Sequence, residues 1–594
     1  MKSKKNIKTF IMILICCIWC TCFIGTISYE STFVAISILS VVCIYYALKR
    51  EIKLRQSENV AYIILGIVTS LFFTLNDYSL FINSNHFNMI KGGIAFTLGS
   101  IIISCIYIVV AVMLSEGKFR RFFINENTNV KRVPLLISAF LFPVIVDSIY
   151  LWGCCYPGWI NMDSKLQIEE MMTGIYENHH PYWHTKTMEM IIKPIFLSTG
   201  DGNLAVSMFC LFQIIIMALS FTYIISTLYH IGIKRNLLYM IIIVKTLMPY
   251  NIGMSCALEK DTLWSVVVAI YFVSLYRILL FGDEKKKTAV VLAIIGLIGM
   301  CLYRTNGIIV IGVSLIGLII SEIKHKIGIR RIIIILGIVF VCSFCLNRFY
   351  IEHKGIEQPD IVEALSIPLQ QIARTIDDQK ELPKQEESFL SNIIDVERIS
   401  EIYDSSSSDN IKNEIREHGN QQYISDNKWE FVRVWILIGV KYPFNYLKGW
   451  IDETRGYWCP SFYYSVWDSG VSDRVDLSQY NIRNVERNKY VLSIWNKWNT
   501  IISCNEIYFI EIILACGLRF WVLVFLLIWA IKNGRLGAVL FTIPLAIIAT
   551  LLVASPTCHT FRYVYAIFYI WPICILGLFY PQSKSDISVS GRKL

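Results

Sequence analysis

Long apolar segments recur along almost the whole chain, and they limit its fold more than any other feature. A helix needs about 20 mostly apolar residues to cross the hydrocarbon core of a bilayer. This length predicts 14 transmembrane helices, three of which (236–250, 288–303 and 307–321) are short for a full span. The expected fold class is therefore an all-α polytopic membrane protein. The predicted helices lie at 9–26, 31–47, 59–76, 90–114, 133–153, 203–229, 236–250, 262–281, 288–303, 307–321, 332–350, 505–530, 536–554 and 563–580.

The composition agrees with a membrane location. Of the 594 residues, 55% are hydrophobic and 17% are charged, whereas soluble domains are about 45–50% apolar and about 25% charged. These values exclude a secreted disulfide scaffold, a disordered regulator and an ordinary cytosolic enzyme. The net charge of +10 would suggest a nucleic-acid partner in a soluble protein. In a membrane protein it marks cytoplasmic loops instead, so no nucleic-acid partner is expected.

Lysine and arginine predict the orientation, because the cytoplasmic loops of membrane proteins are enriched in both. With the N-terminus inside, the short inner segments hold 28 of these residues and the short outer loops hold 3. The chain is therefore expected in the plasma membrane, with both termini cytoplasmic and two longer segments outside, 154–202 and 351–504. The expected domains are a four-helix N-terminal addition (1–132), a transmembrane core (133–350), an extracytoplasmic loop domain (351–504), three C-terminal helices (505–580) and a cytoplasmic tail (581–594).

The large outer segment shows three patterns. The run from Asp404 to Asp409 is serine-rich and predicts a solvated loop. The apolar stretch 431–440 is too short to span the bilayer and predicts a helix at the membrane interface. Residues 429–467 are rich in Trp, Tyr and Phe, which favours an interfacial aromatic belt over rings that stack on sugars.

A carboxylate follows the fifth predicted span. Asp163 stands at the start of an amphipathic helix that runs from Ser164 to Thr173. One interpretation is structural: Asp163 or Ser164 is the N-cap, and Ser164 and Gln167 form a capping box. The other is chemical: Asp163 is held at the membrane surface as a general base or a metal ligand. Spacing alone does not decide between these two interpretations.

Three histidines follow in the same loop, at positions 179, 180 and 184. Histidines at such a density can bind a metal. Pro181 lies between His180 and His184 and argues against a continuous helix that would present both on one face. Hydrogen bonding of His180 to a polar substrate is therefore favoured over a zinc site.

Cations and carboxylates recur at three further outer turns. Each turn has a structural alternative, such as a carboxylate at a helix N-terminus or an arginine that snorkels to lipid headgroups. Taken together, however, they place cations, a carboxylate and histidines on one face of a helical bundle. This placement predicts a site for an anionic, partly lipidic substrate, in which an arginine fork would meet a phosphate. The residues are Glu259, Lys260 and Asp261, then Arg304 and Asn306, and finally Arg562 and Tyr563.

On these motifs the sequence resembles the GT-C superfamily of membrane glycosyltransferases, and within or near it a group of bacterial polytopic proteins. The resemblance covers roughly residues 133–580 and implies a GT-C-like fold. Its motifs are Asp163-Ser164-x-x-Gln167, His180-Pro181, Glu259-Lys260-Asp261, Tyr303-Arg304-x-Asn306-Gly307, the segment from Ser366 to Arg374, and Phe561-Arg562-Tyr563.

The resemblance also implies an activity. Such enzymes transfer a hexosyl or pentosyl group from a polyprenyl-phosphate donor to an acceptor at the outer face, with inversion at the anomeric carbon. Carried over, Asp163 is the catalytic base, and Lys260, Arg304 and Arg562 stabilise the leaving phosphate. Many members carry paired acids in the first outer loop, whereas here Asp163 stands alone. A divalent cation, Mg²⁺ or Mn²⁺, therefore stays an open question, and the acceptor is a glycan or a protein.

Two other functions stay open at this stage. One is a polymerase or ligase for lipid-linked polysaccharide. The other is a flippase or transporter of lipid-linked sugars, which should carry charged residues inside the membrane along a two-sided pathway. The polar motifs gather on one predicted face, and this favours an enzyme.

Overall fold

The computed structural model describes residues 59–580, apart from 82–85, 125–131, 282–285, 486, 504–513 and most of 461–474. Within these residues the chain is helical, and it forms isolated β-bridges but no strand. The predicted spans 9–26 and 31–47, the first part of 505–530 and the predicted tail 581–594 lie outside the described residues. The helices below are numbered in chain order over the described residues.

The helices of the first half form a transmembrane bundle. After α4 a π-helical turn follows at Leu151–Cys155. The bounds are α1 Val60–Leu75, α2 His86–Ser115, α3 Lys118–Phe123, α4 Arg132–Tyr150, α5 Met162–Thr173, α6 Tyr182–Thr199, α7 Gly202–Ile231, α8 Arg235–Leu247, α9 Pro249–Cys256, α10 Lys260–Leu280, α11 Lys286–Tyr303, α12 Gly307–His325 and α13 Arg330–His353.

The second half contains a helical loop domain followed by the last apolar helices. Short 3₁₀ turns at Ile361–Leu365, Leu536–Phe541 and Phe561–Tyr563 join these elements. The bounds are α14 Ser366–Asp377, α15 Lys384–Leu390, α16 Ile399–Ile402, α17 Asp409–Glu417, α18 Gln421–Asp426, α19 Lys428–Lys441, α20 Pro443–Trp458, α21 Lys489–Ser503, α22 Cys516–Lys532, α23 Thr542–Ala554 and α24 Tyr565–Leu576.

Eight of the described helices are long and apolar enough to cross a membrane, and a bent pair brings the number to nine. This confirms an all-α membrane protein. The predicted straight span 236–250 is instead two helices, α8 and α9, which meet at an angle of 58°. Met248 at the junction is extended, as is usual for a residue before a proline, here Pro249. The predicted short span 307–321 is longer than expected, because α12 continues to His325.

Helix α13 shows why the bundle needs lipid around it. Of its apolar residues only Leu336 and Ile351 are buried. The others face outward, and Ile334, Ile338 and Leu346 are 58–66% exposed. Such a continuous apolar face is unfavourable in water and marks a membrane or partner surface.

Helix α10 is the centre of the bundle, and nearly all its residues are buried. Its neighbour α11 lies close because Gly296 has no side chain: a Cβ there would come within 2.7 Å of the Tyr271 backbone nitrogen. Small residues at such crossings are typical of transmembrane helix pairs. The start of α10 is thereby held in a fixed position at the end of the bundle that carries the loop domain.

The loop domain is anchored on the N-terminal helices. The Phe72 ring of α1 lies edge-on to Trp458 and Trp521, at centroid distances of 5.2 and 5.4 Å. Tyr78, just after α1, donates a hydrogen bond to Asp452 of α20 at 3.0 Å. The stretch 431–440 is helical as expected and lies in α19, which buries Phe431 and Ile438 in the loop domain; its position at a membrane interface stays a prediction.

Candidate functional site

The first predicted motif lies beside the start of α10 because two backbone segments pair. Trp159 N–H donates to the Cys256 carbonyl at 2.9 Å, and Leu258 N–H donates to the Trp159 carbonyl at 3.1 Å. Gly158 permits this approach, since its φ is +148° and a Cβ would lie 2.6 Å from the Cys210 sulfur. The pairing brings residues 159–164 next to residues 256–261.

Helix α5 begins two residues earlier than the sequence predicts. The N-cap is Asn161, whose side chain accepts from Ser164 N–H, and these two residues form the capping box. The predicted box of Ser164 and Gln167 is therefore wrong. Asp163 lies in the first turn of α5, where the helix dipole favours a carboxylate.

Arg562 joins three carboxylates from two distant parts of the sequence. Its Nη1 lies 2.7 Å from Asp163 Oδ2 and 2.6 Å from Glu259 Oε1, and its Nε lies 4.0 Å from Asp261 Oδ2. Glu259 also accepts a short hydrogen bond from Asn161. Both Glu259 and Asp261 are buried, so they hold Arg562 from behind, while Asp163 keeps about 29% of its side chain exposed.

Arg304 is the second arginine of this cluster. It forms an ion pair with Asp261, and its guanidinium lies 4.9 Å from the Tyr563 ring and 5.3 Å from the Trp264 ring. Rings on a guanidinium face add cation–π attraction. Arg304 is therefore held by the carboxylate of Asp261 and by the rings of Tyr563 and Trp264.

The histidine motif meets α10 at Lys260. The Lys260 Nζ lies 3.5 Å from His180 Nδ1. His180 is buried, and its Nε2 has no hydrogen-bond partner among the described residues. Pro181 precedes α6 as its N-cap, which confirms that the three histidines do not share one helix. His184 lies inside α6, where Gln167 contacts its Nδ1 at 3.0 Å.

The environment shifts the pKa values of three groups in this cluster. Burial would raise the pKa of Asp163, but Arg562, then His180 and Lys260, hold it below its usual range. Burial dominates at Glu259 and raises its pKa to about 7. Burial and the neighbouring Lys260 lower the pKa of His180, so its imidazole is neutral at physiological pH.

Arg562 is positioned by the loop domain, and no sequence motif indicates this. Ser408 N–H donates to the Pro556 carbonyl at 3.0 Å, and Cys558 N–H donates to the Ser406 carbonyl at 3.0 Å. Tyr457 of α20 adds a 2.6 Å hydrogen bond from its hydroxyl to the Thr557 carbonyl. The 404–409 segment is thus a loop as predicted, but most of it is partly buried rather than solvated, and Ser408 is fully buried.

A cavity of about 990 Å³ opens beside this cluster. Lys260, Arg304 and Tyr563 line its polar end, together with Asn306, whose amide donates to Thr550 at 3.1 Å. The remaining wall is apolar along α12 and α23 and polar along the loop domain. Its apolar residues include Ile309, Val313, Ala546, Ala549 and Val553, and its loop-domain residues include Gln358, Asp360, Glu363 and Lys428.

The structure thus brings together every residue that the sequence placed in the site. Asp163, Glu259, Asp261 and Arg562 form one ionic cluster, with Arg304 and Lys260 at its edge towards the cavity. The segment Ser366–Arg374, which the family resemblance includes, lies elsewhere. It forms most of α14 in the loop domain, where Arg374 pairs with Asp378 at 3.4 Å and with Asp452 at 3.8 Å.

A family model described as a family of unknown function (DUF6020) matches residues 170–592. The chain belongs to the DUF6020 family. The match includes His180, Glu259, Arg304 and Arg562, whereas Asp163 lies just before it. No curated protein and no solved structure matches the chain.

The ionic cluster of this DUF6020 protein does not fit a divalent cation. Mg²⁺ needs carboxylate oxygens that converge on one point in octahedral geometry. Here the Arg562 guanidinium lies between Asp163 and Glu259, and Arg304 engages Asp261. In the part of the chain that the structure describes, no group of three His, Cys, Asp or Glu side chains is arranged for a metal.

Proposed function

We propose that this DUF6020 protein is an inverting glycosyltransferase with a GT-C-like fold and about 14 transmembrane helices. It moves a hexosyl or pentosyl group from a polyprenyl-phosphate donor to a glycan or protein acceptor at the outer face of the membrane. One observation carries the proposal: a single cavity joins two cations, Lys260 and the buried Arg304, to an apolar wall on membrane helices. This pairing matches a ligand that has a phosphate at one end and an isoprenoid chain at the other.

The cations at the polar end would hold the phosphate. Lys260 and Arg304 line the cavity, and Arg304 presents a planar fork that suits phosphate oxygens. Its ion pair with Asp261 and its two rings fix that fork before the donor binds. Preorganised cations stabilise negative charge that develops on a leaving group without further rearrangement.

The apolar wall would take the isoprenoid chain. Ile309 and Val313 project from α12, and Val553 projects from α23. Their side chains are 57%, 37% and 72% exposed, as expected for residues that lie against lipid. A lipid donor could therefore enter sideways from the bilayer without leaving its apolar environment.

In the proposed reaction an acceptor hydroxyl oxygen attacks the anomeric carbon of the donor. The bond from that carbon to the phosphate oxygen breaks, and its electron pair leaves with polyprenyl phosphate. Asp163 takes the proton of the hydroxyl. Its pairing with Arg562 makes the resting carboxylate a weak base. Full basicity therefore requires Asp163 to turn from Arg562 towards the acceptor hydroxyl, while Glu259 and Asp261 keep Arg562 in place.

The substitution Asp163→Asn tests this assignment. Purified protein in lipid vesicles is given undecaprenyl phosphate that carries glucose, mannose or arabinose, and release of undecaprenyl phosphate is measured in the presence of cell-envelope glycan. We expect the variant to lose transfer by about 10²–10⁴-fold, the usual contribution of a general base. The surface substitution Asp426→Asn is the matched control. Transfer by Asp163→Asn at the rate of the control variant would contradict the assignment of Asp163 as the catalytic base.

A flippase for lipid-linked sugars is the second candidate, because charged residues also lie inside the bundle. Asp147 of α4 is buried, and its Oδ1 has no hydrogen-bond partner among the described residues. Lys245 of α8 is also buried, over the rings of Phe221 and Tyr569. Intramembrane charges of this kind often mark transport pathways. Movement of labelled donor across vesicles without sugar transfer, abolished by Asp147→Asn, would favour this candidate.

A further inference from the structure

Beside Lys428, the loop-domain side of the cavity presents a second polar surface, which carries two carboxylates. We name it the loop wall, and it consists of Gln358, Asp360 and Glu363. Arg416 of α17 joins its two carboxylates: Nε lies 2.8 Å from Asp360 Oδ2, and Nη2 lies 2.7 Å from Glu363 Oε2. The acidic side chains are therefore held in one arrangement at the surface of the cavity.

The loop wall is also tied to the loop that carries the histidines. Asn178 N–H donates to the Glu357 carbonyl at 2.8 Å, and the Asn178 amide donates to Gln358 Oε1 at 3.1 Å. His179, the next residue, lines the same cavity. Asp360 and Glu363 thus keep a fixed position relative to Lys260, which contacts His180. A preformed arrangement of this kind lowers the entropic cost of binding a ligand.

The carboxylates of the loop wall retain capacity to accept hydrogen bonds. An ionised carboxylate has about four lone-pair sites. Glu363 receives both Lys412 and Arg416 on Oε2, and among the described residues none donates to its Oε1. Burial would raise the pKa of Glu363, but Lys412 and Arg416 hold it below its usual range, so the acceptor stays ionised.

The chemistry of the loop wall selects among ligand groups. An ionised phosphate offers Asp360 and Glu363 no hydrogen-bond donor, and an isoprenoid chain would strip water from them without compensation. A neutral group rich in hydroxyls would instead donate hydrogen bonds to both. The cavity, at about 990 Å³, is at the upper end of the usual range for ligand pockets of about 300–1,000 Å³, so a sugar fits beside the phosphate.

We propose that Asp360 and Glu363 bind the hydroxyl groups of the donor sugar, opposite the cations that hold its phosphate. This assignment rests on the proposed function, because it takes a polyprenyl-phosphate sugar as the ligand. It makes the loop domain the part of the chain that recognises the sugar. The transmembrane helices then recognise the phosphate and the lipid.

Binding of two lipids to the full-length protein in detergent tests the assignment. The first probe is bare undecaprenyl phosphate, and the second is the same lipid carrying glucose, mannose or arabinose. We expect the wild type to bind one sugar-bearing lipid more tightly than the bare lipid. Glu363→Gln should reduce that preference about tenfold, as loss of a charge-assisted hydrogen bond implies, and leave binding of the bare lipid unchanged. Glu430→Gln, which alters an exposed acid that pairs with Arg433, should match the wild type.

The outcomes separate the two proposals. A wild type that binds neither lipid contradicts the proposed function itself. A wild type that binds both equally, or a Glu363→Gln variant that folds and keeps the wild-type preference, overturns the loop-wall assignment alone. Should Glu363→Gln fail to fold, Asp360→Asn is compared instead. Unchanged preference in that variant overturns the assignment too.

Discussion

At the scale of single residues, the cluster is built around two arginines that share the buried carboxylate of Asp261. Arg562 lies within 4.0 Å of Asp163, Glu259 and Asp261, and Arg304 shares Asp261. A buried charge is tolerated when it is paired and hydrogen-bonded. The carboxylates therefore fix the arginines in place and leave cationic faces for an incoming anion. Glu259 and Asp261, predicted from the sequence to bind substrate, are assigned this positioning role in our proposal.

Glu259 makes the stability of the protein depend on pH. Burial raises its pKa to about 7, whereas the pKa of a glutamate in an unfolded chain is about 4.3. Between these two pH values the folded protein keeps a proton that the unfolded chain has released. The folded state binds more protons over this interval, and its stability must therefore fall as the pH rises towards 7. Glu259→Gln removes this contribution. The quantity to compare is the thermal unfolding midpoint of the variant minus that of the wild type. We expect this difference to be larger at about pH 8 than at about pH 5.

Thermal unfolding in detergent micelles at both pH values gives the comparison. Glu430→Gln, on the exposed face of α19, is the control and should show a constant difference from the wild type. A constant difference for Glu259→Gln as well would contradict the assignment of a raised pKa to the buried Glu259.

At the scale of elements, two short backbone pairings assemble the site. One joins Trp159 to Ala257, and the other joins Ser407 to Thr557. The second is supported by α20, where Gly456 lies against the 555–562 segment. The position of Arg562 therefore depends on the packing of the loop domain.

Gly456→Ala tests that dependence. An added Cβ would lie 1.8 Å from the Cys558 carbonyl oxygen, so α20 and the segment that carries Arg562 must move apart. We expect a loss of about 1–3 kcal/mol in stability, typical of overpacking, and a drop in sugar transfer larger than that loss of folded protein explains. Gly337→Ala, where a Cβ meets nothing within 4 Å, should keep both stability and transfer. Normal transfer by folded Gly456→Ala would show that Arg562 does not depend on this contact.

The same elements show what the sequence could predict. Apolar length locates the helices well, because a span needs a fixed number of residues whatever surrounds it. Apolar length does not reveal the bend at Met248, because Pro249 lies inside an apolar run. The cluster of Asp163, Lys260, Arg304 and Arg562 was expected from topology, which places all of them at one end of the bundle. The role of the 404–409 segment was missed because its partner Pro556 lies 149 residues from Ser407, and no local pattern encodes such a pairing.

At the scale of the whole molecule, apolar helices carry a helical loop domain over a shared cavity. Lipid-facing surfaces such as α13 place the bundle in a membrane, and the distribution of lysine and arginine predicts which side the loop domain faces. The proposed chemistry requires that side to be extracytoplasmic, since polyprenyl-phosphate sugars serve this class of enzyme at the outer face.

Cysteine labelling tests that orientation. A membrane-impermeant maleimide is applied to intact cells that express Ser391→Cys, on an exposed turn of the loop domain, or Lys324→Cys, near the exposed end of α12. We expect the first variant to be labelled above the wild-type level, and the second to be labelled only after the cells are opened. The reverse pattern would move the cavity to the cytoplasmic side and contradict the proposed donor.

In the proposed function, one cavity holds both the phosphate and the isoprenoid chain of the donor. The most direct measurement is photo-crosslinking with undecaprenyl phosphate that carries a diazirine near the head group, followed by mapping of the labelled peptides. We expect labels on α12 near Ile309 and Val313 and on α23 near Ala549, with labelling greatly reduced in Arg304→Ala. Labels on the exposed face of α13 at equal intensity in the wild type and in Arg304→Ala would contradict the claim.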